Sequence, residues 1–165
     1  MPMHAYFEEC LDDKSWDCFI NNSSQSNPFM LSSFIEAQNV EHKKLFFYYE
    51  SRILAAVLII SPHDYAFQAP SSYTLYQGIA LAPIHGNPHQ VTSRQIKILS
   101  SLLDMLENIY PYHSFCLHPS LSDLRPFQWH NYGNRDKASY SISLAYSGII
   151  DLTQYSDFHV YCSSI

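Results

Sequence analysis

The segment from Ser122 to Gly133 is the part of the chain richest in side chains that could do chemistry. It reads SDLRPFQWHNYG and holds a carboxylate, an arginine, a histidine and three aromatic rings. Its proline and glycine favour a defined loop over a regular element. Asp123 and Arg125 could orient a substrate, and Trp129 and Tyr132 could stack on a sugar or a base. Alternatively, Asp123 and Arg125 form an ion pair that fixes the loop, and the aromatic rings close the core beneath it.

A second candidate segment runs from Tyr73 to Pro83. Gly78 interrupts a strand-like pattern there, which predicts a bulge or a close approach of two backbones. Gln77 could then line an acceptor groove, although a kinked strand without a binding role explains the same pattern. The candidate substrate-binding residues are therefore Gln77, Asp123, Arg125, Trp129 and Tyr132.

The histidines and cysteines do not identify a catalytic residue or a metal site. His113, His118 and His130 could act as bases toward an amine, but scattered histidines in an aromatic-rich domain usually serve packing. Cys116, His118 and His130 form a loose group without the spacings that zinc sites use, so we expect no metal. The four cysteines have no C-x-x-C spacing, which favours reduced, structural thiols.

Composition limits the class of protein. The chain has 165 residues, 47% of them hydrophobic, and we expect one domain over residues 1–165. Its net charge is -6 with only nine Lys and Arg, which argues against nucleic acid as a partner. The longest apolar run, Ile53 to Ile60, is far shorter than the ~20 residues of a membrane span. We therefore expect a cytoplasmic protein without a membrane span.

The hydrophobic pattern predicts helices before and after a hairpin. The first two helices are expected at Asp13–Ile20 and at Ser33–Asn39, the latter with a capping box of Ser33 and Glu36. Strands at Leu45–Tyr49 and Ile53–Ile60 should form a hairpin at the centre of the sheet, because the second is apolar on both faces.

A long helix should follow from Thr92 to Ile109, with Thr92 and Gln95 as its capping box and Pro111 after its end. Aromatic and β-branched residues predict four further strands, at Ser72–Tyr76, Ile79–Leu81, Ser114–Leu117 and Ser139–Ala145. The expected fold class is α/β (α+β), a mixed central sheet with helices packed on it.

Two stretches of the chain resemble a known family. The run Asp-x-Arg-Pro-Phe-x-Trp-x-x-Tyr-Gly from Asp123 to Gly133, followed by a Tyr-rich strand and Ile149–Leu152, resembles the mid-chain signature of FemAB-like proteins in the GNAT acyltransferase superfamily. The segments Trp16–Ile20 and Asn27–Ile35 resemble the start of the same proteins. The resemblance extends from about Ser15 to Phe158.

The resemblance implies a single GNAT-like domain equivalent to the amino-terminal half of a FemAB-like protein. It also implies transfer of an acyl, acetyl or aminoacyl group to an amine on a sugar, peptide or cell-envelope precursor, with this chain as the acceptor-side domain. The implied donor is an acyl-coenzyme A or an aminoacyl compound. Its phosphate-binding glycine loop is not found, because the glycines at 78, 86, 133 and 148 are isolated.

Two other interpretations remain open. The chain could be a non-catalytic binding module that keeps the fold without a donor site. It could also be a half-domain that assembles with itself or with a partner chain, because the surface normally covered by a second half should be apolar. We therefore expect a homodimer or a complex with a partner chain.

Overall fold

The computed structural model describes residues 5–60 and 74–146, together with Cys162. The elements follow one another along the chain as β1 (Ala5–Glu9), α1 (Asp13–Asn22), a 3-10 turn (Pro28–Met30), α2 (Ser32–Ala37), β2 (His42–Tyr49), β3 (Arg52–Ile60), β4 (Ile79–Leu81), α3 (Pro88–Ile109) and α4 (Arg125–Trp129). The chain therefore combines strands and helices, as expected for an α+β protein.

The four strands form one sheet in the order β1-β2-β3-β4, and every neighbouring pair in the described residues is antiparallel. The expectation of a mixed sheet is thus wrong for this part of the chain. The predicted hairpin is confirmed, with Tyr49 opposite Arg52. Glu50 and Ser51 turn the chain with φ of 46° and 65°, the two positive values of the turn that best matches strand twist.

The hairpin carries apolar side chains on both faces, and helices cover both. Alternate residues of β2 and β3, such as Phe47 and Val57, face Leu102 and Leu106 of α3. The intervening residues, such as Phe46 and Leu58, pack in a second cluster with α1, the 3-10 turn and α2. This arrangement confirms that the apolar run of β3 is central, because a strand buried on both faces needs a layer on each side.

The helix α3 begins four residues earlier than predicted. The Asn87 side chain accepts a hydrogen bond of 2.9 Å from the Gln90 amide, and the Gln90 side chain accepts one of 3.3 Å from the Asn87 amide. Pro88 occupies the first turn, where its missing N–H costs nothing. The capping box at Thr92 and Gln95 is therefore wrong, and both residues lie within the helix.

The helix α2 also differs from its prediction. It spans Ser32–Ala37 rather than Ser33–Asn39, and Leu31 precedes it without a side-chain cap. Ser33 and Glu36 therefore form no capping box. The helix is instead held by burial of Ile35 and by the Ser32 hydroxyl, which accepts a hydrogen bond of 3.3 Å from Lys44 of β2.

Two of the four further strand predictions fail in the described residues, and a third fails over the part of it that is described. The segment Ser114–Leu117 contributes only one bridge, between Gln77 and Cys116. The segment Ser139–Ala145 has no regular structure. Of Ser72–Tyr76, residues 72 and 73 lie outside the described residues and the remainder is not a strand, whereas Ile79–Leu81 is confirmed as β4.

The described part of the chain contains no helix with both the length and the hydropathy needed to cross a membrane. Its four cysteines are free thiols. Cys10 is buried, but Cys18 and Cys162 are exposed, so burial does not account for all four.

Candidate functional site

The Ser122–Gly133 segment contains the short helix α4, where the sequence predicts a loop. Pro126 and Phe127 are buried, and Phe127 packs with Leu121 against the core under α3. Arg125, Gln128 and Trp129 share the opposite, exposed face, because residues three and four apart lie on one side of a helix. Burial of Pro126 and Phe127 thus holds α4 in place, with the candidate residues on its exposed face.

Asp123 holds the Arg125 guanidinium by two oxygens. Arg125 Nε lies 2.9 Å from Oδ1, and Nη2 lies 2.5 Å from Oδ2. Oδ1 also accepts the Arg125 backbone amide at 3.1 Å, which closes the turn into α4. The Arg125 guanidinium holds the pKa of the Asp123 carboxyl below its usual range. The loop-fixing ion pair considered for these residues is therefore present.

Trp129 lies beside the same guanidinium. The Arg125 Cζ is 5.4 Å from the Trp129 ring centroid, within the range of a cation–π contact. The Trp129 side chain is 57% exposed and Tyr132 is 84% exposed. These two rings therefore do not close the core, and they remain accessible to a ligand.

Arg125 also lines an open depression of about 450 Å³ between α4, the loop before it and the first half of α3. Six of its lining side chains are polar, and Leu124 is the one apolar lining residue. No described residue accepts a hydrogen bond from Arg125 Nη1, so that nitrogen can still donate to a ligand. The polar lining residues are Thr92, Gln95, Ser122, Asp123, Arg125 and Gln128.

Gln77 lies apart from this depression. Its side chain is buried, and its Nε2 donates to the Phe29 carbonyl at 3.0 Å and to Gln38 Oε1 at 2.9 Å. Phe29 and Gln38 lie in the 3-10 turn and just after α2, in the layer on the other face of the sheet from α4. Both amide hydrogens of Gln77 form hydrogen bonds, so the side chain has a structural role and connects the 3-10 turn to the end of α2.

Gly78 meets the expectation of a close approach. Its φ is 145°, and a Cβ at this position would lie 2.6 Å from Phe115 Cδ1. The glycine therefore allows the Phe115 side chain to pack directly on the backbone next to Gln77.

The structure thus brings together Asp123, Arg125 and Trp129, with Tyr132 on the turn that follows α4, where its amide donates to the Trp129 carbonyl at 3.0 Å. Thr92, Gln95, Ser122 and Gln128 also line the depression and are not among the residues predicted from the sequence. Thr92 and Gln95 are polar residues three apart, which share one face of a helix, and this spacing is also that of a capping box.

None of the three candidate bases, His113, His118 and His130, lines the depression. His113 bonds to the Tyr110 carbonyl and the Tyr140 hydroxyl, and burial lowers its pKa. His118 Nδ1 lies 2.9 Å from Ser120 Oγ, and burial lowers its pKa as well. Among the described residues, no three His, Cys, Asp or Glu side chains are grouped so that they could hold a metal ion.

No family model, no curated protein and no solved structure matches this chain. The Ile149–Leu152 part of the FemAB-like resemblance, and Gly148, lie outside the described residues.

Proposed function

We propose that the chain is a GNAT-like, FemAB-type acyltransferase domain that binds the amine acceptor in the depression beside Arg125 and Trp129. One observation carries this proposal: an arginine held by Asp123, with Nη1 still able to donate, stands next to an exposed tryptophan at a polar depression. The resemblance of residues 123–133 to FemAB-like proteins supports acyl transfer as the reaction class.

The lining favours a ligand rich in hydroxyl and amide groups. The site offers hydroxyl and amide side chains that both donate and accept hydrogen bonds. The charges of Asp123 and Arg125 offset each other, so a strongly charged ligand gains little here. An exposed indole provides an apolar face for stacking. An amino sugar or a short amine-bearing peptide combines these properties.

The second candidate is a binding module without a donor site, and the start of α3 favours it. An anion site at a helix start needs free backbone amides. Pro88 has no backbone N–H, and the backbone N–H of Gln90 already donates to the Asn87 side chain. Within residues 74–146, Gly78, Gly86 and Gly133 are isolated, so no glycine-rich loop precedes this helix.

Acceptor binding is tested by thermal shift and titration with amino sugars, their N-acetylated forms and amine-bearing dipeptides. A ligand at 100 times its Kd should raise Tm by about 5–10 °C. Arg125→Ala and Trp129→Ala should weaken binding about tenfold or more, whereas the exposed Arg135→Ala should not. Unchanged affinity in both site variants would place the ligand elsewhere.

Transfer is tested separately. The protein is mixed with acetyl-coenzyme A and each amine, and release of the coenzyme A thiol is followed together with the mass of the acceptor. Acylation of the amine would support the enzyme. Sugar binding with neither donor binding nor acylation would support the binding module and refute the enzyme for this chain.

Assembly with itself or with a partner chain belongs to the same proposal. Ile142, Leu144 and Tyr146 are exposed apolar side chains in one segment, and exposed apolar patches mark protein–protein contact sites. Sedimentation equilibrium at micromolar concentration should give a dimer. A clean monomer would exclude self-assembly.

A further inference from the structure

Ser120 and His118 form a hydrogen-bonded pair in the segment between α3 and α4, outside the depression. Ser120 is exposed, and its Oγ lies 2.9 Å from His118 Nδ1. Two further groups contact the same hydroxyl: Gln25 Nε2 lies 2.9 Å from Oγ, and the Ser24 carbonyl oxygen lies 3.4 Å from it. The direction of the hydroxyl proton follows from which of these groups donate and which accept.

The bare nitrogen of His118 is identified by a backbone group. The Ser120 backbone N–H donates to His118 Nδ1 at 3.2 Å, and a backbone N–H can only donate. Nδ1 therefore has a lone pair and no proton, which places the proton of the neutral ring on Nε2. The Tyr76 ring packs edge to face on the imidazole, with ring centroids 5.1 Å apart, and helps to hold its orientation.

The orientation of the Gln25 side-chain amide is fixed in the same way. Gln25 is buried, and its Oε1 accepts the Leu81 backbone N–H at 2.8 Å. The other atom of the amide, Nε2, therefore faces the hydroxyls of Ser120 and Ser24 and donates one hydrogen to each. Because Gln25 donates to the Ser120 hydroxyl, that hydroxyl directs its own proton to another group.

The described residues offer two acceptors for the Ser120 proton, and His118 Nδ1, at 2.9 Å, is nearer than the Ser24 carbonyl at 3.4 Å. The serine thus donates to the imidazole while it accepts from Gln25. A hydroxyl within hydrogen-bond reach of an unprotonated imidazole is the arrangement that activates a serine as a nucleophile. The Gln25 N–H favours loss of the proton, because it is aimed at the oxygen on which negative charge develops.

We propose that Ser120 is a nucleophile with His118 as its general base, and that it takes an acyl group from a small activated ester or thioester. Oγ attacks the carbonyl carbon, its proton passes to His118 Nδ1 and then to the departing alcohol or thiol, and an acyl-serine remains. Water then attacks the acyl-serine, releases the carboxylic acid and restores the serine hydroxyl. This site is separate from the depression, so the proposal stands whether or not Arg125 and Trp129 bind an amine.

A fluorophosphonate tests the nucleophile in the unaltered protein. Attack of Oγ on phosphorus breaks the P–F bond, releases fluoride and leaves a stable phosphonyl-serine, which intact mass and peptide mapping detect. We expect about one label per chain, on Ser120, and none at this position in Ser120→Ala. Ser26→Ala, an exposed serine in the same loop as Gln25, should label like the wild type. No label, or labels on other residues only, would overturn the proposal.

The role of His118 is tested by the rate of the same labelling. His118→Ala should label Ser120 at least about tenfold more slowly, because the hydroxyl has lost its base. Added imidazole should restore part of the rate, which it would not do if His118 only held the loop in place. The exposed His89→Ala is the control and should label at the rate of the wild type. An unchanged rate in His118→Ala, or a lost rate that imidazole does not restore, would refute the general base.

The acyl step is tested with p-nitrophenyl acetate. Release of p-nitrophenol is followed, and acid quenching with peptide mapping locates the acetyl group. The wild type and Ser26→Ala should carry acetate on Ser120 and should lose it again as water cleaves the ester, whereas Ser120→Ala should release p-nitrophenol more slowly. Acetate on lysine or histidine side chains but never on Ser120 would refute the acyl-serine.

Discussion

The indole Nε1 of Trp16 donates a hydrogen bond of 2.6 Å to the backbone carbonyl of Met30. Both residues are buried, and the bond ties α1 to the 3-10 turn before α2. The Trp16 ring also stacks on Phe46 of β2, with ring centroids 5.7 Å apart. The Trp16 side chain therefore holds α1 and the 3-10 turn together and packs α1 against the sheet.

Replacing Trp16 with Phe should lower the free energy of unfolding by about 2–4 kcal/mol. The change leaves the Met30 carbonyl without its donor and opens a cavity in the core. Urea denaturation measures the loss. Trp129→Phe, on an exposed ring, should change stability by less than about 0.5 kcal/mol. Equal losses in the two variants would contradict the structural role of Trp16.

Gly78→Ala should destabilise the protein by about 2 kcal/mol or more. The new Cβ would lie 2.6 Å from Phe115 Cδ1, and the φ of 145° is one that side chains rarely adopt. Gly133→Ala is the matched control, because its φ is also positive, at 79°, but no atom lies near its Cβ. It should lose only about 1 kcal/mol. A larger loss of stability in Gly133→Ala than in Gly78→Ala would show that the contact with Phe115 does not determine the effect of Gly78→Ala.

Gln77→Ala should reduce stability rather than ligand affinity. It removes two partly buried hydrogen bonds, one of which is donated to the Phe29 carbonyl, at a cost of about 2 kcal/mol. Gln128→Ala, at the exposed depression, should have little effect on stability but should weaken acceptor binding. Thermal unfolding and ligand titration of both variants separate the roles. A loss of affinity without a loss of stability in Gln77→Ala would restore Gln77 to the binding site.

The hairpin and α3 could be predicted because their hydrophobic patterns are long and periodic. The short elements α4 and β1 could not be predicted in this way. The helix α4 has five residues and begins after Leu124 without a side-chain cap, so its formation depends on burying Pro126 and Phe127. The strand β1 is an edge strand whose Phe7 packs on Phe47, 40 residues away along the chain, which no local pattern reveals.

The residues proposed for the candidate site also differ in how well their positions could be predicted from the sequence. Asp123, Arg125 and Trp129 lie within seven residues, so their proximity could be predicted from the sequence. Gln77 could not be placed, because its partners Phe29 and Gln38 are 48 and 39 residues distant. The alternation in Ser139–Ala145 predicts a strand, but a pattern does not supply the neighbouring strand that a sheet needs.

The buried His113 should make the stability of the protein depend on pH. Burial lowers the pKa of His113 in the folded protein below its ordinary 6.5, so below that pH the unfolded chain binds the extra proton first. Stability from His113 is therefore present above pH 6.5 and lost as pH falls through the range below it. The stability difference between the wild type and His113→Gln should therefore shrink from pH 7.5 to pH 5.5. Denaturant unfolding at each pH measures this difference, and the exposed His89→Gln is the control. A difference that stays constant or grows as the pH falls would mean that burial does not favour the neutral form of His113.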